Sequence, residues 1–301
     1  MLFKQDICLF CILYSIKWGG DLMKIGFLGF GEVASTLAAG LLNNGADVAT
    51  CVEGRSLRTK ELAKEMELNL CKSNRELAES CDMIISAVTP HQAVKIAKEI
   101  GKHAKGIYVD INNISPATAE EALSYIESGK TADASIIGSV RKNGLNVHIL
   151  VSGSCAEEFV ELNRFGMNIS VVGNEIGQAS AIKLLRSSFT KGVSALLFET
   201  LYSAYKMGID TEVLKYIAET EGEGFKESAV SRIISSAVHS KRRAEEMEEV
   251  IGLISKSSDA KMSKATGKFF KQLYHEIDTI EKRPEDYKAI FEVMDNKNRK
   301  N

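Results

Sequence analysis

The sequence predicts an α/β Rossmann domain with a mainly parallel sheet, followed by an all-α C-terminal domain. Short apolar runs alternate with amphipathic helical patterns from residue 24 to about residue 172, which is typical of β-α-β units. A glycine-rich turn directly follows the first apolar run, and strand patterns stop after about Gly173. A chain of 301 residues is long enough for two domains that each bury a core.

The strands are expected where apolar runs are short and continuous, because helices cover both faces of a parallel sheet. These runs are KIGFLG, ADVATCV, DMIISAV, GIYVDI, NVHILVSG and NISVVG. Helical segments such as SLRTKELAKEM and PHQAVKIAKEIGKHA lie between them, so right-handed crossovers should join parallel neighbours. We therefore expect all of these runs to form parallel strands.

The segment before Met23 fits neither domain. Its apolar run from Ile7 to Ile16 is shorter than the roughly 20 residues that cross a bilayer, and no small-residue cleavage site follows it. The first Rossmann strand begins at Lys24. We expect residues 1–22 to be a non-native or disordered extension of a chain that starts at Met23. An anchoring segment is the alternative.

The composition excludes several classes of partner. The formal net charge is −2, whereas a broad nucleic-acid surface needs a basic excess. The single Cys8-x-x-Cys11 pair has no second pair or flanking histidine that would complete a metal site. We expect a cytoplasmic protein without metal, nucleic acid or membrane, whose partners are a small molecule and another copy of the chain.

The strongest local signal is a G-x-G-x-x-A turn between a predicted strand and a predicted helix. It comprises Gly29, Phe30, Gly31, Glu32, Val33 and Ala34. Gly29 permits the tight turn, Gly31 lets a pyrophosphate approach the backbone, and Ala34 keeps helix and strand close. The helix N-terminus offers N–H groups and a positive dipole end to phosphates. The turn predicts dinucleotide binding; a glycine turn selected only for packing is the alternative.

The end of the second predicted strand bears on which dinucleotide binds. Glu53 lies about 20 residues past the glycines, where an acidic side chain usually holds the ribose 2′-hydroxyl of NAD. Arg55, Ser56 and Arg58 instead offer two guanidinium groups and a hydroxyl to a 2′-phosphate. We expect NADP to be favoured over NAD. Arg58 would also suit a solvated position on a helix.

A long, proline-free helical pattern begins after Gly177. Its polar side chains recur at three- and four-residue steps and therefore share one face. They are Ser180, Lys183, Ser187, Thr190, Lys191 and Ser194. This face is rich in serine and contains no acidic residue, which favours the wall of a pocket. The solvated side of an otherwise apolar helix is the alternative.

Together these segments resemble the β-hydroxyacid dehydrogenase superfamily, which includes 6-phosphogluconate and 3-hydroxyisobutyrate dehydrogenases. The resemblance is strongest to the branch in which a 6-phosphogluconate-dehydrogenase-type NAD-binding domain precedes a domain of unknown function numbered 1932. It rests on GFLGFGEVA, VEGRS, YVDINNISPAT, ASIIGS, VSGSCAEE, GQASAIKLLRSSFTKGVSALL and RRAEEMEEV, from Met23 to about residue 265. It implies an NAD(P)-binding Rossmann domain over residues 23–173 and a helical domain for substrate binding and dimerisation over residues 174–301.

The resemblance also implies roles for single residues. Lys183, six residues after Gly177, matches the lysine that is the catalytic acid/base in such enzymes. Ser187 stands where the family usually carries asparagine, and Ile137-Gly138-Ser139 keeps only the central glycine of the usual S-G-G substrate loop. These departures indicate a substrate different from those of the two dehydrogenases named above. The implied substrate-binding residues are Asn112, Asn113, Gly138, Ser139 and Ser187, and Val88 and Thr89 should border the nicotinamide.

The resemblance implies an NAD(P)-dependent dehydrogenase or reductase that acts on a small, anionic hydroxy acid or its carbonyl partner. Arg141 would bind an anionic tail of the substrate or lie on the surface. Two alternatives stay open. Imine reductases share the fold, but they often carry aspartate or tyrosine at the lysine position, so Lys183 counts against this activity. The other alternative is a dinucleotide-binding protein without catalysis.

The long helix also predicts assembly. It carries more apolar surface than one small helical domain readily covers, through Phe189, Leu196, Leu197 and Leu201. We therefore expect a homodimer in which C-terminal helices pack across the interface.

Overall fold

The computed structural model describes residues 23–277 and 283–298, so the predicted extension over residues 1–22 lies outside the described part of the chain. The chain divides into two compact units, one that ends at Lys183 and one that begins at Leu184. This division falls within one long helix, Gln178–Lys206. The predicted domain boundary after residue 173 stays a prediction.

The first unit is built on an eight-stranded sheet. In chain order the strands are β1 (Lys24–Leu28), β2 (Asp47–Cys51), β3 (Asn69–Cys71), β4 (Met83–Ser86), β5 (Ile107–Asp110), β6 (Thr131–Ile137), β7 (His148–Ser152) and β8 (Asn168–Gly173). Across the sheet they lie in the order β3-β2-β1-β4-β5-β6-β7-β8, and the first six are parallel. The strand order changes direction between β1 and β4, which is where Rossmann sheets bind dinucleotides. The predicted Rossmann domain with a mainly parallel sheet is confirmed.

The last two strands correct the prediction that every apolar run is parallel to the others. β7 is antiparallel to β6, and β8 is parallel to β7. Only residues 138–147 connect β6 to β7, whereas a parallel crossover needs about a dozen residues or more. The list of predicted strands also omits β3, which is largely exposed, and β6, whose sequence TADASII alternates polar and apolar residues.

Helices cover both faces of the sheet. They are α1 (Glu32–Asn43), α2 (Leu57–Glu65), α3 (Asn74–Ser80), α4 (Ala93–Ile100), α5 (Pro116–Leu123), α6 (Val140–Asn143) and α7 (Ala156–Val160). Consecutive residues of a strand point to opposite faces. Accordingly, Phe27 packs in a core with residues of α1 and α7, whereas Leu28 packs in a core with residues of α3, α4 and α5.

The second unit is entirely helical in its described part, which confirms the predicted all-α C-terminal domain. Its helices are α8 (Gln178–Lys206, which begins in the first unit), α9 (Asp210–Glu221), α10 (Phe225–Val238), α11 (Ser240–Ile254), α12 (Lys261–Glu276) and α13 (Tyr287–Asn298). Aromatic rings form much of the core: the Phe198 and Phe291 centroids lie 5.3 Å apart, in an edge-to-face arrangement. Within residues 23–277 and 283–298, none of the helices is both long and apolar enough to cross a membrane.

The apolar residues of α8 separate into buried and exposed positions. Leu197 and Leu201 are buried in the core of the second unit. Phe189 is 72% exposed and Leu196 is 64% exposed, and Ile182 and Leu185 are also exposed. Of the four apolar residues from which the sequence predicts an interface, Phe189 and Leu196 are therefore the two that remain exposed.

Candidate functional site

The glycine turn joins β1 to α1 in the geometry that a dinucleotide needs. Gly29 has φ +81°, and a Cβ there would lie 2.6 Å from the Ala87 carbonyl oxygen, so glycine is required. Space around Gly31 is open: a Cβ built there would meet no atom within 4 Å. Gly31 is also the N-cap of α1, and no side chain accepts a hydrogen bond at this cap. The N-terminal N–H groups of α1 can thus donate to a pyrophosphate.

The other residues of the turn divide between packing and charge. Phe30 and Ala34 are buried, and Val33 packs partly against the same core. Glu32 is exposed and forms a two-pronged ion pair with Arg141: Nη2 donates to Oε2 at 2.7 Å and Nε to Oε1 at 3.2 Å. Hydrogen bonding and attraction by Arg141 lower the pKa of Glu32. Arg141 therefore neutralises the one carboxylate of the turn.

The segment after β2 presents charges of both signs. Glu53 and Arg58 are exposed, Arg55 is half-buried, and Gly54 makes the turn with φ +67°. Ser56 is the N-cap of α2: its Oγ accepts a hydrogen bond from the Thr59 N–H at 3.3 Å. The Ser56 hydroxyl thus already takes part in shaping the start of α2.

Val88 and Thr89 lie just beyond β4, next to the glycine turn. Val88 is half-buried, and its Cγ1 lies 3.0 Å from where a Cβ of Gly29 would stand. Thr89 is exposed, and its Oγ1 is 3.3 Å from Nε2 of His91. Val88 thus lies against the glycine turn.

Four buried polar residues form one row across neighbouring strands, which we call the polar row. Ser86 of β4 is in register with Asp110 of β5, Asp110 with Asp133 of β6, and Asp133 with Ser152 of β7. All four are fully buried. Buried polar groups are costly unless they are hydrogen-bonded, so the partners of the row indicate what it holds.

One half of the polar row holds the loop after β5. Asn112 is only 3% exposed; its backbone N–H and its Nδ2 each donate to Asp110 at 2.8 Å, and Nδ2 also donates to Ser86 at 3.1 Å. Burial raises the pKa of Asp110 to about 7, against the effect of these hydrogen bonds. Asn112 therefore shapes the loop, and its neighbour Asn113 is the exposed member of the predicted pair.

The other half of the polar row holds the start of α8. Asp133 accepts hydrogen bonds from the Ser180 N–H at 2.9 Å and from the Ser180 hydroxyl at 2.7 Å. Ser152 accepts a hydrogen bond from the Ala179 N–H at 3.1 Å. Asp133 is a site residue that the motifs in the sequence do not predict; an acidic residue at a buried position of the alternating run TADASII is the signal that could have identified it.

Lys183 lies one turn beyond Ser180 on α8 and is half-buried. It interacts with Asp133: burial, the largest effect, raises the pKa of Asp133, whereas the attraction of Lys183 lowers it. Asn112, Asp110, Asp133, Ser180 and Lys183 thus form one continuous chain of interactions.

The remaining predicted substrate residues occupy two places. Gly138, with φ +130°, and Ser139 are exposed between β6 and α6. Ser187 is half-buried on α8, and its carbonyl oxygen accepts a hydrogen bond from Thr190 Oγ1 at 3.3 Å.

The rest of the polar face of α8 is not a solvated surface. Lys191 is only 8% exposed, and its Nζ lies 2.9 Å from Oε2 of Glu246 on α11. Ser180 and Ser194 are buried. The interpretation of this face as a solvated stripe is therefore wrong.

Two family models match the chain. The family described as NADP oxidoreductase, coenzyme F420-dependent, matches residues 24–114, and a domain of unknown function (DUF1932) matches residues 204–273. An uncharacterised 28.5 kDa protein of Methanothermus fervidus is 41% identical over 252 residues, which covers 83% of this chain and 99% of that protein. Pyrroline-5-carboxylate reductase 2 of Homo sapiens is 32% identical over 95 residues, covering 30% of this chain and 29% of that protein.

Solved structures support the same relationship. The conserved protein MTH1747, described as of unknown function and structurally similar to 3-hydroxyacid dehydrogenases, has a TM-score of 0.78 and 49% identity, covering 84% of this chain and 97% of its own. A conserved hypothetical protein from Sinorhizobium meliloti 1021 has a TM-score of 0.79 and 29% identity, covering 92% of this chain and 97% of its own. Mycobacterium tuberculosis 3-hydroxyisobutyrate dehydrogenase shares the fold, with a TM-score of 0.74 at 15% identity over 91% of this chain and 99% of its own.

Proposed function

Because this chain belongs to the β-hydroxyacid dehydrogenase superfamily, we propose that it transfers a hydride between NAD(P) and a small, anionic hydroxy acid or its carbonyl partner. The fold and family are those of NAD(P)-dependent oxidoreductases of the 3-hydroxyacid dehydrogenase type. The observation that carries the proposal is Lys183, held one turn into a helix whose start is bound to the polar row.

The dinucleotide would be held by the turn from Gly29 to Ala34, with its pyrophosphate on the free N–H groups of α1. When bound, the nicotinamide supplies or accepts the hydride. Val88 and Thr89 would border it. Lys183 would give a proton to the substrate oxygen during reduction, or take one during oxidation. Asn113, Gly138 and Ser139 would orient the substrate, and Asn112 would shape the loop that carries Asn113. Ser187, on the part of α8 that belongs to the second unit, stays a predicted substrate-binding residue.

NADP is the favoured dinucleotide in this proposal. Arg55 precedes the N-cap of α2 and Arg58 lies in the first turn of that helix, and the planar guanidinium group of arginine suits a 2′-phosphate. Glu53 is exposed beside them and would instead suit the ribose hydroxyls of NAD.

Imine reduction is the second candidate. The match to pyrroline-5-carboxylate reductase 2 over 95 residues favours it, because that name denotes a reductase of a cyclic imine. Lys183 counts against it, because imine reductases often carry aspartate or tyrosine at the corresponding position. A dinucleotide-binding protein without catalysis is the third candidate.

A substrate panel separates these candidates. Purified protein is mixed with NADPH or NADH and with members of three sets: 2- and 3-keto acids, uncharged aldehydes and ketones, and cyclic imines. We expect NADPH oxidation with a keto acid. Oxidation with imines alone supports the second candidate. Tight NADPH binding without turnover on any member supports the third.

We propose a homodimer in the cytoplasm that works without nucleic acid or membrane, consistent with the net charge of −2. The exposed apolar residues of α8 support a second copy of this chain as the partner.

A further inference from the structure

The start of α8 is bound to the sheet by side chains of two strands. The first N–H groups of a helix have no partner within the helix. Here the N–H groups of Ala179 and Ser180 donate to Ser152 and Asp133, and the Gly177 backbone also interacts with the Asp133 carboxylate. The Ser180 hydroxyl adds the shortest of these bonds, at 2.7 Å. The direction of the first turn is therefore set by the strand residues below it.

Asp133 differs from Ser152 in carrying charge. Burial raises the pKa of Asp133, whereas the hydrogen bonds donated by Ser180 and Gly177 and the attraction of Lys183 act in the opposite direction and favour the ionised carboxylate. Among the described residues, the charged or titratable groups that act on it include Asp110 from β5 and Lys183 from α8, while Glu120 from α5 lies beside Gly177. Lys183 is the cation among them, and it is fixed three residues after the Ser180 bonds.

We propose that Asp133 is the positioning residue for Lys183: it holds the first turn of α8 in place, and its negative charge favours the protonated lysine. This proposal deepens the proposed function and rests on Lys183 being the acid/base. Asp133 would touch neither substrate nor dinucleotide. It acts through its hydrogen bonds to the first turn of α8 and through the electrostatic attraction between its carboxylate and the Lys183 ammonium group.

Asp133→Asn tests the charge with little change of shape. The asparagine side chain keeps one acceptor oxygen, but its NH₂ group replaces the other oxygen and faces a hydrogen-bond donor of Ser180. We expect the pKa of the Lys183 amine, followed by NMR of ¹³C-labelled lysine, to fall by about one unit, because a nearby negative charge is lost. The alkaline limb of kcat against pH should move to lower pH by the same amount, with the dissociation constant of NADPH unchanged.

Ser152→Ala is the matched control. It removes a neutral acceptor from the same turn of the helix. Hydrogen exchange at the Ala179 amide should become about tenfold faster, whereas the pKa of Lys183 should stay at its wild-type value. An unchanged Lys183 pKa in Asp133→Asn would overturn the proposal, as would an equal shift in both variants.

Two further measurements keep the test decisive. If Asp133→Asn fails to fold, Ser180→Ala removes only the hydroxyl donor; we then expect faster exchange at the Ser180 amide and a several-fold lower kcat, and wild-type values for both would overturn the proposal. If the wild-type protein turns over no member of the substrate panel, the proposed function fails. The lysine titration and amide exchange still report whether Asp133 positions Lys183.

Discussion

At the scale of single residues, charges after β2 should decide between the two dinucleotides. Arg55→Ala should weaken NADPH binding about tenfold or more, because a charge-assisted hydrogen bond to the 2′-phosphate is lost. NADH binding should change little. Fluorescence titration of both cofactors measures the effect, and Lys60→Ala, which removes an exposed cation further along α2, is the control. Equal losses for both cofactors would instead assign the site to Glu53 and NAD.

Asp110 gives the fold a pH dependence that follows from its burial. Burial raises its pKa from 3.8 to about 7. Between these two values the folded protein holds a proton that the unfolded chain has released, so the free energy of unfolding should fall as pH rises. The slope from this group is at most about 1.4 kcal/mol per pH unit.

Asp110→Asn removes this titration and keeps one acceptor for Asn112. Urea unfolding between pH 5 and pH 8 should therefore show a smaller decrease in stability with pH for the variant than for the wild-type protein. Parallel stability curves over this range would contradict the assignment.

At the scale of elements, the sequence pattern predicts turns and helices, which depend on neighbouring residues. It does not predict the direction of a strand, which depends on how the strands pair. The glycine turn, the helix after it and the long α8 follow from local signals, and the structure contains all three. The direction of β7 depends instead on the length of the connection from β6. β6 is not a continuous apolar run, so the search for such runs does not identify it. Its polar residues are buried nonetheless, because β6 pairs with a neighbouring strand on each side.

The site shows the same division between local and non-local causes. The free N–H groups at the start of α1 follow from the glycine spacing, which the sequence displays directly. The polar row joins residues from four strands, and only the sheet register brings them together. For this reason the sequence could indicate Asn112 as a candidate substrate ligand. It could not predict that Asn112 holds the loop after β5, or that Asp133 contacts α8.

At the scale of the whole molecule, the exposed apolar residues of α8 predict assembly. Phe189→Glu places a charge at the most exposed of them and should convert a homodimer into a monomer, because an unpaired charge in an apolar interface is costly. Sedimentation velocity at micromolar concentration measures this. Met262→Glu, at an exposed apolar position of α12, is the control and should leave the dimer intact. A wild-type protein that sediments as a monomer would contradict the assembly.

The proposed mechanism depends on Lys183 as the acid/base. A suitable control is Lys264, an exposed lysine of α12, because Lys191 on α8 is buried in an ion pair with Glu246 and its loss would disturb packing. Lys264→Ala should leave both turnover and cofactor binding at wild-type values.

The most direct test is the turnover of Lys183→Ala on a substrate identified by the panel, together with its affinity for NADPH. A positioned proton donor contributes about 10²–10⁴-fold, so kcat should fall by this factor. The dissociation constant of NADPH should change little, because the glycine turn and α1 provide the phosphate contacts. Near-normal turnover of Lys183→Ala, with the substrate verified on the wild-type protein, would contradict the proposed mechanism.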